Sequence, residues 1–158
     1  MILIGSLATL ATLTTTATAD TKIYSGTACV QLGEDQSAVE YSNGRLLNND
    51  QTYNGFYCPV VLDSYALPES VYTWIYLLDQ NIQGAISCTL RSQNSETGSY
   101  YYKSAGTTIG EASTTPYKKG FTGDTSYFID GMRYIYCLVP GESGLNASGI
   151  VSYSVNET

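Results

Sequence analysis

Apolar and polar residues alternate with a period of two along much of this chain. Gly84–Ser92 is the plainest case: Ile86, Cys88 and Leu90 fall in one phase, Ser87 and Thr89 in the other, as on a half-buried strand. Met132–Val139 repeats the pattern, with Ile135, Cys137 and Val139 in phase and Tyr134 and Tyr136 out of phase. Strands are likewise predicted over Lys22–Gln31, Ala38–Ser42, Thr52–Leu62, Val71–Asp79, Ser99–Ser104, Tyr117–Thr122, Ser126–Ile129 and Ser148–Val155. Val71–Asp79 is the most apolar, and its β-branched and aromatic content argues for a central strand rather than a helix. Tyr117–Thr122 is expected at a sheet edge, with Lys118 and Lys119 guarding it against unwanted pairing.

Turn chemistry separates these runs. Gly33-Glu34-Asp35, Asn43-Gly44 and Asn48-Asn49-Asp50 break the chain, Asn54-Gly55 marks a bulge or turn, and Gln93–Gly98 and Gly106–Thr115 read as loop. Short strands between Gly, Asn and Pro turns predict an all-β fold, an antiparallel β-sandwich of immunoglobulin-like or jelly-roll-like kind. Trp74 between Cys58 and Cys137 invites the immunoglobulin comparison. The tyrosine-corner spacing fails, however, because Ile135 stands two residues before Cys137.

Each of the four cysteines sits in a strand-like run: Cys29, Cys58, Cys88 and Cys137. Two disulfides are expected; four cysteines allow three connectivities, and Cys29–Cys58 with Cys88–Cys137 closes the shorter loops. The wide spacing, with no C-x-x-C pair, argues against zinc, and no cysteine has an immediate basic neighbour to make it reactive.

Ile2–Ala19 is uncharged and ends Ala17-Thr18-Ala19 before Asp20. An apolar run closed by an A-x-A pattern predicts a secretory signal peptide over 1–19, although no Lys or Arg stands near Met1. The rival reading keeps this segment as a donor arm that completes a neighbouring subunit's sheet by strand addition. Residues 20–158 are then one β-sandwich domain. Its threonines make the segment too polar to span a membrane, so no membrane insertion is expected after processing. The protein is expected to be secreted, extracellular or on the cell surface.

Composition narrows the chemistry. Seven Lys+Arg against fourteen Asp+Glu leave a net charge of -7, which disfavours nucleic acid and anionic lipid as partners. There is no histidine, so the commonest general base and metal ligand are missing. A carboxylate pair or a Ser–Lys arrangement would remain. Yet the acids are scattered, only Glu34-Asp35 being adjacent, and Lys103-Ser104 matches no nucleophile motif. Asp50-x-Thr52-x-Asn54-Gly55 mimics the first half of a calcium loop, but Val61 stands where the bidentate Glu belongs; an Asx-turn explains it better. No catalytic residue, metal or cofactor is expected. Asn146-Ala147-Ser148 and Asn156-Glu157-Thr158 match the N-glycosylation acceptor pattern, common by chance in so polar a chain.

The segments Tyr57-Cys58-Pro59-Val60-Val61-x-Asp63-Ser64, Ser87-Cys88-Thr89-Leu90-x-Ser92, Tyr136-Cys137-Leu138-Val139-Pro140 and Ser148-Gly149-Ile150-Val151-Ser152-Tyr153 resemble those of a family of small exported bacterial proteins. That resemblance implies four cysteines and a β-sandwich, and carries no known activity, substrate or site.

The fifteen tyrosines are the compositional anomaly. If the cysteines face the core, Tyr57, Tyr134 and Tyr136 point outward, and Tyr100, Tyr101 and Tyr102 cannot all face inward from one strand. These six residues are the candidates for an interface or for ligand stacking. The leading expectation is a non-enzymatic, exported structural or adhesive protein that self-associates into a filament or surface layer. The alternative is a secreted carbohydrate-binding module using the same tyrosines on glycans, with Asn48, Asn49, Asp50 and Gln51 as polar partners. An inhibitor or effector presenting Gln93–Lys119 is a third reading.

Overall fold

Strand follows strand in the order β1 (Thr21–Ser25), β2 (Val30–Gln31), β3 (Val39–Ser42), β4 (Arg45–Asn48), β5 (Asn54–Pro59), β6 (Val71–Leu78), β7 (Ser87–Gln93), β8 (Tyr100–Gly106), β9 (Tyr117–Gly123), β10 (Met132–Val139) and β11 (Ser148–Glu157). The computed structural model describes residues 21–33, 39–62, 71–123, 131–143 and 146–157. The N-terminal segment 1–19 and the expected strand Ser126–Ile129 lie outside the described residues.

The strands form two antiparallel sheets. One runs β3-β4-β11-β6-β9, with β1 lying against β11 beyond the end of β4; the other runs β2-β5-β10-β7-β8. The pairings β4·β11, β5·β10, β6·β9 and β7·β8 nest inside one another. Nested pairs divided alternately between two sheets are the wiring of a jelly roll, which decides between the two sandwich expectations. Trp74, whose position suggested an immunoglobulin core, sits on the outer surface.

Local chemistry explains where strands begin and end. The expected strand Lys22–Gln31 is broken by a 3-10 turn at Gly26–Ala28, where the chain leaves one sheet for the other. Ser25 Oγ accepts the Thr27 N–H at 3.2 Å and donates to the Gly44 carbonyl at 2.6 Å. A Cβ on Gly26 would lie 2.0 Å from the Ile150 carbonyl oxygen, so only glycine allows this approach to β11. Asn43 and Gly44, at φ 51° and 77°, make the β3–β4 hairpin turn. Arg45–Asn48, which lacks a clear alternation, is a strand as well, and Asn48 belongs to it rather than to a loop.

The core lies between the sheets. Phe56, Cys58, Cys88, Ile135, Cys137 and Val139 face Leu46, Ile75, Leu77, Phe121, Ile150, Tyr153 and Val155, all buried. Both disulfides have the expected sequential connectivity: Cys29–Cys58 holds the segment after the 3-10 turn to β5, and Cys88–Cys137 joins directly opposed residues of β7 and β10. All four thiols are thereby consumed, and two disulfides fit an extracellular protein. Among the described residues no helix is long and apolar enough to cross a membrane.

Buried polar groups are satisfied where the loops meet the core. Asn48 donates to the carbonyls of Thr52 and Val139 at 2.9 and 3.0 Å. Asp79 is fully buried; its carboxylate accepts from the Ser148 and Thr107 hydroxyls and the Asn81 and Ile86 N–H groups. It ties the β6–β7 and β8–β9 connections to the start of β11 at one end of the sandwich. At the other end Glu157 is buried, with Lys22 Nζ at 3.5 Å.

Candidate binding faces

Strand alternation sends every second side chain outward, and on the five-stranded sheet those positions gather the tyrosines. Across the sheet, Val30, Tyr57, Tyr136, Thr89 and Ser104 form one row of paired residues; Pro59, Tyr134, Arg91 and Tyr102 form the next; Met132, Gln93 and Tyr100 a third. The Tyr57 ring packs edge-on against Tyr134 at 5.0 Å and tilts against Tyr136 at 5.4 Å. Arg91 places its guanidinium carbon 4.6 Å from the Tyr136 centroid, while its Nε donates to Thr89 Oγ1 at 3.0 Å. On the neighbouring edge strand Tyr100 and Tyr102 lie 6.3 Å apart and are 60% and 61% exposed.

Five of the six tyrosines singled out from sequence therefore share one face. Tyr101 does not: paired with Ser92, it turns to the other side of β8, where it is also exposed. The face carries one cation, Arg91, and no carboxylate among its described positions. Rings offer an apolar platform, and Thr89, Gln93 and Ser104 add hydroxyl and amide groups beside it.

A second aromatic surface covers the other sheet, and the sequence reading missed it. Tyr72, Trp74 and Tyr76 alternate with Thr73, Ile75 and Leu77 along β6; the second set is buried, whereas Tyr72 and Trp74 are exposed. Lys118 Nζ stands 4.2 Å from the Trp74 centroid and 5.9 Å from that of Tyr76. β9 is the edge strand expected from sequence, yet Lys118 lies over an aromatic ring. The signal was legible as a period of two, but the overall apolarity of the run pointed to a core strand.

The Asp50 loop is locally satisfied. Its carboxylate accepts from the Gln51 N–H at 2.6 Å, the Thr52 hydroxyl at 2.9 Å and Asn54 Nδ2 at 3.4 Å. The Thr52 and Gln51 donors hold the Asp50 carboxyl below the usual carboxylate range. This is the Asx-type arrangement, and a calcium ion would have to displace these donors. Among the described residues no three potential His, Cys, Asp or Glu ligands come together.

No protein-family model and no curated protein matches the chain. Among solved structures it is similar to a low-affinity xylan-binding module, CBM86, from Roseburia intestinalis, at 14% identity and a TM-score of 0.45, covering 88% of this chain and 96% of that one. It is similar also to the CBM36-1 domain of a multidomain xylanase from the hindgut metagenome of Trinervitermes trinervoides, at 12% identity and TM-score 0.43, covering 88% and 98%. A family 11 carbohydrate-binding module from Clostridium thermocellum, solved with a mixed-linked tetrasaccharide, matches at 9% identity and TM-score 0.37, covering 87% and 85%. At such identities no binding residue carries over from these proteins to this chain.

Proposed function

We propose that this chain is an extracellular, non-catalytic glycan-binding module, and that it binds on the outer face of the five-stranded sheet. The observation that carries the reading is the contiguous tyrosine cluster: Tyr57 touches both Tyr134 and Tyr136, Arg91 caps Tyr136, and Tyr100 and Tyr102 extend the surface to the sheet edge. Sugar rings have apolar C–H faces and hydroxyl rims. A surface of mutually tilted tyrosine rings bordered by Thr89, Gln93 and Ser104 offers contacts to both, and the Tyr57, Tyr134 and Tyr136 rings brace one another before any ligand arrives. The expectation of a self-associating filament subunit finds no support among the described residues, and the arm it invoked lies outside them.

The test is a glycan array followed by calorimetry on the best ligand. Tyr134→Ser with Tyr136→Ser should abolish binding while far-ultraviolet circular dichroism stays unchanged. A protein that binds no glycan, or whose binding survives both substitutions, would overturn the proposal.

A further inference from the structure

We infer that the opposite face, built on Trp74, is a second sugar-binding surface, and that it takes acidic, uronate-bearing glycans. Three observations converge there. First, the indole lies face-on over Gly120 of β9. A Cβ built on Gly120 would stand 2.6, 2.9 and 3.1 Å from Cζ3, Cε3 and Cη2 of Trp74, a near-perpendicular approach to the ring. One side of the indole is thus laid on the strand, the residue is 38% exposed, and Lys118 Nζ stands 4.2 Å from the ring centroid.

Second, Lys118 has no carboxylate partner among the described residues. Within β1, β6, β9 and β11 the one carboxylate is Glu157, which is buried beside Lys22 between the sheets. The exposed Glu40 of the same sheet lies on β3 at the opposite edge, where it accepts from Asn49. Among the described residues of these four strands, an acidic protein has set a cation on an aromatic ring with no exposed acid beside it. Its counter-charge is to come from a ligand, and a carboxylate attached to a sugar ring supplies charge and a C–H face together.

Third, the neighbouring row is polar and available. Ser152, Ser154 and Asn156 of β11 pair with Tyr76, Trp74 and Tyr72, and their side chains make no hydrogen bond among the described residues. Tyr72, Trp74 and Tyr76 repeat every second residue, so the aromatic strip runs about 13 Å, the length of several linked sugars rather than one. The long-range repulsion expected from a net charge of -7 is screened beyond about 8 Å in physiological salt, which leaves the local cation to decide.

Trp74 is the chain's single tryptophan, so its emission reports this face alone. The folded chain with both disulfides is titrated with an oligogalacturonate and, separately, with its carboxyl-reduced counterpart. The acidic oligomer should produce a saturable emission change that weakens with added salt, and the reduced oligomer a weaker one. Lys118→Gln should lower affinity for the acidic oligomer about fivefold. Tyr134→Ser with Tyr136→Ser should leave the titration unchanged, so that this inference and the tyrosine-face proposal stand or fall separately. No emission change at millimolar oligogalacturonate, equal binding of both oligomers, wild-type affinity in Lys118→Gln, or loss of the titration in the tyrosine variant would each overturn it. Lys118 is exposed, so its variant tests the inference even if replacing Trp74 prevents folding.

Discussion

The Tyr153 hydroxyl donates to the Pro59 carbonyl oxygen at 2.7 Å, joining β11 of one sheet to β5 of the other across the core. The ring also stacks on Tyr24 at 4.8 Å. Burial, with a smaller contribution from Tyr24, pushes the phenol well above its usual range. A raised tyrosine pKa means that the fold favours the neutral form. The stabilisation is therefore complete below the unfolded value near pH 10 and is lost as pH climbs beyond it. Thermal unfolding scans should show wild type losing stability above about pH 10 more steeply than Tyr153→Phe. At neutral pH that variant should cost about 1 kcal/mol, the worth of one hydrogen bond.

Asp50 is the acid counterpart. Its lowered carboxyl pKa makes the loop's order complete above about pH 4 and lost as pH falls through the folded value. In an NMR titration the Gln51 amide should shift only at pH values below the usual carboxylate range. Thr52→Val, which removes the largest cause, should move that titration upward; an unmoved midpoint would show that the hydroxyl is not the cause.

The disulfides enclose separations of 29 and 49 residues. On the chain-entropy account each contributes roughly 3–4 kcal/mol, the longer loop slightly more. Denaturant unfolding of the two double-alanine variants should show losses of that size, with Cys88→Ala/Cys137→Ala the less stable.

Gly120→Ala probes the seat of the indole. The added methyl meets the ring rather than backbone, so the sheet should survive while Trp74 lifts away. Emission should move to longer wavelength at unchanged circular dichroism, and the acidic-glycan titration should weaken.

On the tyrosine face the members are unequal. Tyr57 contacts two rings of the cluster, whereas Tyr100 contacts Tyr102 at the sheet edge. Calorimetry should find that Tyr57→Ala lowers glycan affinity about tenfold and Tyr100→Ala much less.

Much of this molecule can be read from its residues. The phase of Cys137 correctly places Tyr134 and Tyr136 outside, because a strand's alternation is a local property. Asn43-Gly44 correctly marks a turn for the same reason, although the strand Arg45–Asn48 that makes it a hairpin does not show in the pattern. What escapes local reading depends on distant partners. Gly26 breaks its strand because the Ile150 carbonyl lies against it, and Asn48 is strand rather than loop because its amide reaches the Val139 carbonyl. Asp79 has no sequence mark of burial; its partners Thr107 and Ser148 come from the β8–β9 connection and the start of β11. The Trp74 face was present in the pattern, but a run apolar in both phases resembles a strand covered on both sides.

β11 is the last of the described strands and an interior strand of its sheet, holding β6 on one side and both β4 and β1 on the other. Until it is in place, β1 and the β3–β4 hairpin have no sheet to join, and the inner pairs can form only an open cup. Closing it brings together segments from opposite ends of the fold, which gives the protein a high contact order. Such topologies fold on the scale of milliseconds to seconds rather than microseconds. For that interval β6 presents a bare edge, and this strand is the chain's most apolar run. The strand that carries Trp74 in the finished protein is thus open to wrong pairing along one edge until β11 arrives.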